Sequence, residues 1–311
     1  MIATERALAT SDVYFVARRS RAEPSVVSDY LALTKPDVNV LIAMTTAAAF
    51  YLASPAGLVE LPWIRLLHAL SGTVLVASGA AALNQWMERQ FDARMRRTAR
   101  RPIAAGRIEP RRALMFGTLV SAAGAAYLVL TVNVLASLLA VVTLLSYLLL
   151  YTPLKRITPL CVFIGALPGA MPPLIGWAAA RGRLDPEAWL LYAIVFLWQF
   201  PHFMAIAWMY RDDYDRAGYL VLPLGRNRLP VVLWQTLLPL LVLVGLSLLP
   251  VLSGQGSGLH GIAGLLLNLG FAYYGVVFAR RRSGPAARQL VMASILYLPS
   301  LLVLMIIRVV A

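Results

Sequence analysis

Apolar stretches without a charged residue, long enough to cross a bilayer (about 18 residues or more), recur from one end of this sequence to the other. Nine can be read, near 38–59, 66–87, 113–131, 135–152, 160–180, 188–209, 230–251, 259–279 and 289–307. A lipid interior supplies no partners for backbone N–H and C=O groups, so such stretches must satisfy their own and become helices. The chain is therefore expected to be all-α, a polytopic transmembrane bundle of about nine helices. A single membrane domain over 30–311 follows a flexible, cytoplasmic tail over 1–29. With a mean hydropathy of +0.73, no soluble module of useful size remains.

The net charge of +14 invites a nucleic-acid reading, but its distribution excludes one. Nine spans place alternate loops on alternate sides, and 24 of the 28 Lys and Arg residues then fall on one side. The other side has only Arg65, Arg181, Arg183 and Arg308. This is the positive-inside pattern, which puts the N-terminus in the cytoplasm and the C-terminus outside. The one cysteine, Cys161, rules out a disulfide framework and reads as a small core residue. The tail contains Arg18, Arg19 and Arg21 but also Glu5, Asp12 and Glu23, which argue against an organellar transit peptide and favour a bacterial inner membrane.

Against this apolar background, 5 of the 14 acidic residues crowd into two short segments on the basic side. At the end of the second span stand Asn84, Glu88 and Asp92, followed by Arg94, Arg96, Arg97, Arg100 and Arg101. Steps of four rotate only ~40° around a helix, so the amide and both carboxylates share one face. Their oxygens are hard ligands suited to Mg²⁺, which bridges readily to phosphates. Guanidinium groups beside them favour bidentate phosphate contacts. At the end of the sixth span, Arg211-Asp212-Asp213-Tyr214-Asp215 forms the second cluster. Opposed across a bundle, the two clusters can hold two Mg²⁺ ions and a diphosphate between them. The same basic residues also serve as plain topology determinants, as does Lys155-Arg156 after the fourth span.

Smaller features surround these clusters. Thr34 or Asp37 is expected to cap the first spanning helix, with Pro36 in its first turn. Asn39 either faces the bundle interior or bonds its own backbone. Thr131-Val132-Asn133 breaks the chain into a tight hairpin, and Gly254–Gly258 reads as a flexible outer loop. The fifth span holds Gly165, Pro168, Gly169, Pro172, Pro173 and Gly176, which suits a kinked helix lining a chamber or close packing through small residues. His202 is the one histidine near an acidic cluster. Trp86-Met87-x-Arg89 and Trp208-Met209-x-Arg211 echo one another faintly. Such a repeat, with a proline-broken span, also suits a transporter, but transporter sites lie near the bilayer midplane and these acids sit at one face.

These motifs resemble those of the intramembrane aromatic prenyltransferase (UbiA-type) superfamily, which includes 4-hydroxybenzoate polyprenyltransferase and chlorophyll synthase. Within it they look like the protohaem IX farnesyltransferase branch. The first signature reads Asn84-x3-Glu88-x3-Asp92-x2-Met95-x-Arg97-Thr98-x2-Arg101-Pro102; Glu at its centre and the Met-x-Arg-Thr continuation point to the haem branch. Tyr151-Thr152-x-Leu154-Lys155-Arg156, Gly169-Ala170-x-Pro172-Pro173, Pro201-His202-Phe203 and Tyr210-x-Asp212-Asp213-Tyr214-x2-Ala217-Gly218 complete the match. Two departures stand out. The superfamily's Asp-x3-Asp motif is absent, since Arg216 and Ala217 follow at the fourth positions, and Val221-Leu222-Pro223 replaces a Met-Leu-Pro ending.

The resemblance implies a bundle around a central cavity open to the cytoplasmic side. It implies farnesyl diphosphate and haem b as substrates, haem O and diphosphate as products, and Mg²⁺ as cofactor. The metal ligands it implies are Asn84, Glu88, Asp92, Asp212 and Asp213, with Asp215 as the substitute carboxylate. Diphosphate ligands would be Arg97, Arg101, Lys155, Arg156 and Arg211, and His202 is a haem-contact candidate. Membrane lipid and a downstream haem A synthase are the expected partners; a quinone-precursor or chlorin acceptor is the alternative within the superfamily.

Overall fold

The computed structural model describes residues 25–54, 60–222, 228–252 and 258–310. Most of the 1–29 tail, residues 254–257 of the glycine-rich loop and Pro223 lie outside the described residues. Among those described, nine helical segments are long and apolar enough to span a membrane, one for each stretch expected from sequence.

A short helix, α1 (Val26–Leu33), precedes the first span, α2 (Pro36–Ala53). Asp29, on α1, is buried in a forked ion pair with Arg107, Arg Nη2 to carboxylate Oδ1 at 2.9 Å. Pro36 opens α2 as expected, but neither Thr34 nor Asp37 caps it. The cap position is Lys35, which has no capping hydrogen bond and sits at φ 51 in the left-handed region. Asn39 does both things expected of it, donating to Thr34 O at 2.9 Å and across to Ser78 Oγ at 2.8 Å.

The next spans are α3 (Trp63–Asp92), α4 (Pro110–Thr131) and α5 (Val134–Leu145). Asn133 turns the α4–α5 hairpin by accepting from Ala136 N–H at 2.8 Å. The fourth span continues through a π-helical turn, Ser146–Tyr151, into the one-turn α6 (Thr152–Leu154). Wider π turns arise where a helix must absorb an extra residue, often at functional sites. Here the turn delivers Thr152 and Lys155 to the acidic face of α3. The fifth span is two helices, α7 (Cys161–Gly169) and α8 (Met171–Arg181), broken at Ala170 ahead of Pro172 and Pro173.

After α9 (Pro186–Met209) and the short α10 (Arg211–Ala217) come α11 (Arg228–Leu252), α12 (Gly258–Arg281) and α13 (Gly284–Val310). Successive spans are neighbours, and α13 returns to α2, which closes the bundle into a ring. Within it α8 packs on α2, α3, α5 and α9, and every residue from Pro172 to Ala179 is buried. The second half of the broken fifth span is thus buried among its neighbours, towards the end of the bundle away from the acids. At that end Arg181 and Arg183 pair with Asp185, whose carboxyl is held below the usual range by the Trp177 indole N–H and then by the two guanidiniums.

Close packing through small residues, one of the two readings of this span, holds at Gly176. A Cβ there would run into the carbonyl oxygen of Thr46 and lie 2.9 Å from its carbonyl carbon, so α8 and α2 would have to separate. Overpacking against backbone costs about 1–3 kcal/mol or more. Gly176→Ala should therefore lower the thermal unfolding midpoint in detergent by several degrees. Gly245→Ala, on α11 with open space around it, should leave that midpoint unchanged.

Candidate active site

The C-terminal two turns of α3 present Asn84, Glu88 and Asp92 on one face, as the spacing requires, and all three are buried. Each faces a cation from another part of the chain. Lys35 Nζ donates to Asn84 Oδ1 at 3.0 Å, Lys155 Nζ to Glu88 Oε1 at 2.7 Å, and Arg101 Nη1 to both oxygens of Asp92 at 2.9 and 2.8 Å. Asn84 also donates to Thr152 Oγ1 at 3.2 Å, joining the face to the end of the fourth span.

The loop after α3 folds back to make this arrangement. Thr98 Oγ1 donates to Asp92 O at 3.0 Å, which turns the chain so that Arg101, nine residues on, reaches the Asp92 carboxylate. The same loop reaches the second acidic cluster: Arg97 N–H donates to Asp213 Oδ2 at 3.1 Å, and Arg97 Nη2 to the Tyr214 hydroxyl at 3.3 Å. Asp213 is buried and paired with Arg216. Asp212 and Asp215 are exposed, and Asp212 stands 3.6 Å from Arg211. A cavity of about 470 Å³ opens beside this cluster, lined in part by Arg97, Tyr210, Asp212, Asp213 and Arg216.

Aromatic rings wall the approach to the α3 face. The Lys155 ammonium lies 4.5 Å from the Tyr151 ring and 5.9 Å from that of Tyr219, and Arg156 lies over Phe91 at 4.7 Å. Lys155 O accepts from Leu220 N–H at 2.6 Å, so the segment after α10 is tied to the tip of the fourth span. Burial alone would push the Lys155 pKa down, but Glu88 beside it holds it well above the ordinary lysine value. Lys35 has no such partner. Burial, and then the Arg101 charge, push it down to about 7.

The structure thus brings Asn84, Glu88, Asp92, Arg97, Arg101, Lys155 and Asp213 to one end of the bundle. Arg211, the first residue of α10, folds back onto the end of α9, donating to Trp208 O at 3.0 Å with its guanidinium 5.5 Å from the Trp208 ring. Arg89 does the same to Trp86, at 2.7 and 5.4 Å. The faint Trp-Met-x-Arg echo is therefore a shared way of closing a span. His202 bonds Ser294 Oγ of α13 at 2.7 Å and stacks on Trp198, with none of its hydrogen bonds reaching an acidic cluster.

Two participants lie outside the sequence reading, Lys35 and Tyr219, while Tyr214 enters it only as part of a motif. For Lys35 the only signal was its place before Pro36, where capping chemistry drew attention instead. Tyr219 is buried beside Glu88, outside hydrogen-bonding geometry, and its pKa is raised by burial and then by that carboxylate.

The oxygens present fit Mg²⁺ in kind. Among the described residues no three carboxylate, histidine or cysteine side chains converge as a closed metal cage. That suits an ion that takes one or two carboxylates and completes its shell with water and phosphate oxygens.

The sequence profile of the UbiA prenyltransferase family matches residues 42–298. A protein of Solibacter usitatus called protoheme IX farnesyltransferase is 47% identical over 277 residues, covering 87% of this chain and 95% of its own length. One of the same name from Koribacter versatilis is 42% identical over 295 residues, 90% of this chain and 93% of its own. Among solved structures, one described for digeranylgeranylglyceryl phosphate synthase superposes with a TM-score of 0.71 at 17% identity, covering 91% of this chain and 98% of that one. A UbiA homologue from Archaeoglobus fulgidus bound to GPP and Mg²⁺ gives 0.60 at 13% identity, covering 90% and 99%. The chain belongs to the UbiA prenyltransferase family, as a multi-pass integral membrane protein.

Proposed function

We propose that this prenyltransferase moves the farnesyl group of farnesyl diphosphate onto a vinyl group of haem b and adds water there, giving haem O and diphosphate. The observation that carries the reading is the pairing of two acidic clusters, interleaved with cations, at one end of an apolar ring. The names of the Solibacter and Koribacter relatives support haem as acceptor, and the Archaeoglobus homologue supports a prenyl diphosphate held with Mg²⁺. Mg²⁺ would be held by Asn84, Glu88 and Asp92 on one side and by Asp212 and Asp213 on the other, with Asp215 beside them. When bound it neutralises charge on the leaving diphosphate.

The chain's own residues account for the rest. Lys155, Arg101 and Arg97, with Arg156 and Arg211 at the rim, would donate N–H groups to phosphate oxygens as the allylic C–O bond breaks and its electron pair leaves with diphosphate. The Tyr151, Tyr219 and Phe91 rings exclude water and present π faces to the allylic cation. The vinyl π electrons close the new C–C bond, and water adds to the cation left beside the macrocycle, losing a proton. His202 would serve as a haem contact from α9. The domain would run over 30–311 in a bacterial inner membrane, N-terminus in the cytoplasm, with haem O passing to a haem A synthase.

The test is turnover by the purified, detergent-solubilised chain with haem b, farnesyl diphosphate and Mg²⁺, read by mass spectrometry. A mass gain of farnesyl plus hydroxyl, lost with EDTA, is expected. Diphosphate release with the haem unmodified would keep the prenyltransferase and move the acceptor to a quinone precursor or chlorin. No reaction with any acceptor would overturn the reading.

A further inference from the structure

The α3 face holds three cations, Lys35, Lys155 and Arg101, against two carboxylates, Glu88 and Asp92. The odd one is Lys35. Its side chain is half-buried, yet its hydrogen-bond acceptor is the neutral amide oxygen of Asn84. Buried charges are otherwise paired, because an isolated one is costly to desolvate. The backbone also holds Lys35 in the left-handed region, which costs a non-glycine residue about 1 kcal/mol or more. Gln85, one residue along α3, fixes that strained junction by donating to Ala32 O and Leu33 O at 3.3 and 3.1 Å. A strained, braced and unbalanced ammonium at the end of the row marks a place for an anion.

The other two cations already have carboxylates, and this sets a constraint on ligands. Both oxygens of Asp92 are taken by one Arg101 nitrogen, and Lys155 holds Glu88. A divalent ion arriving alone must displace these cations into a site already positive. A diphosphate arriving alone meets two carboxylates. Arriving together, each lets the cations shift from carboxylate to phosphate oxygen while the carboxylates pass to the metal, and no charge is left unpaired.

We propose that Lys35 is a diphosphate ligand, and that Lys35, Lys155 and Arg101 are exchangeable counter-ions which make metal and diphosphate bind as one unit. The assignment rests on the prenyl-diphosphate reading above. Coupling of this kind is reciprocal and typically amounts to 5–150-fold in affinity.

The experiment uses the full-length chain in detergent, with Mn²⁺ followed by electron paramagnetic resonance and inorganic pyrophosphate by calorimetry. Each probe is titrated alone, and Mn²⁺ again with pyrophosphate present, correcting for their complex in solution. Lys35→Met should shift the two single-probe affinities in opposite directions. Mn²⁺ alone should bind several-fold more tightly, because a positive charge has left Asn84, while pyrophosphate alone should bind about tenfold more weakly. Lys35→Arg should restore pyrophosphate binding. A merely structural lysine would move both affinities the same way, or neither, and that result overturns the assignment. Asp92→Asn separates the two failures. If it leaves Mn²⁺ binding with pyrophosphate unchanged, the α3 acids are not the metal site and the underlying reading falls as well. If it abolishes that binding while Lys35→Met fails to split the affinities, only the Lys35 assignment falls.

Discussion

Asp212→Asn should cut turnover by about 10²–10³-fold while leaving the protein folded and inserted. As a metal ligand, Asp212 would act through the ion that neutralises the leaving diphosphate, and weakening one such stabilising interaction typically costs that much. The fold should not notice, because the Asp212 side chain is 78% exposed and its ion-pair partner is the neighbouring Arg211 at 3.6 Å. Exposed pairs of this kind contribute about 0–1 kcal/mol. Asp92 would be a less clean probe: it is buried, and both its oxygens serve Arg101, so removing it mixes lost chemistry with a stranded guanidinium. The matched control is Glu109→Gln, an exposed acid paired with Arg112 at 3.4 Å in the same basic loop. Turnover should survive there. The measurement is haem O formation per mole of protein, alongside the thermal unfolding midpoint of each variant. Near-normal turnover in Asp212→Asn would remove the second cluster from the metal site.

Much of this architecture was legible because lipid leaves a chain few choices. Apolar runs without charge had to become spanning helices, and steps of four had to put Asn84, Glu88 and Asp92 on one face. The proline-rich fifth span is readable as broken, though its close packing on α2 is visible only from what surrounds Gly176. Pairing between distant segments was harder. Nothing local says that Lys155 meets Glu88, 67 residues away, or that the Arg97 backbone reaches Asp213 across 116. The resemblance put these residues in one site without saying which cation faces which acid. Lys35 was hidden for a different reason. A lysine before a proline at a helix start looks like a boundary residue, and its left-handed backbone conformation is a tertiary choice that overrides local preference. The π turn has no sequence signature at all, since its extra residue is set by what Lys155 must reach.

The second large effect concerns Glu88 and Lys155, where stability and activity should come apart. Their side chains are 7% and 12% exposed and meet at 2.7 Å. Removing one partner of a buried pair leaves the other uncompensated, at a cost of about 3–5 kcal/mol. Replacing both with neutral groups of similar size is often close to neutral. The two single replacements should nonetheless differ. In Lys155→Met, Glu88 retains Lys35 and Arg101 as nearby positive charges; in Glu88→Gln, three cations are left with Asp92 alone. Glu88→Gln should therefore be the more destabilising, and Glu88→Gln with Lys155→Met should recover most of the loss in either single variant. A double-mutant cycle of unfolding free energies in detergent measures this, and strict additivity would show that the pair contributes nothing as a pair. Turnover should follow a different course, remaining lost in all three variants, because each lacks a carboxylate that would hold the metal, an ammonium that would hold the phosphate, or both. Recovery of stability without recovery of activity would separate what these two residues do for the fold from what they do for the reaction.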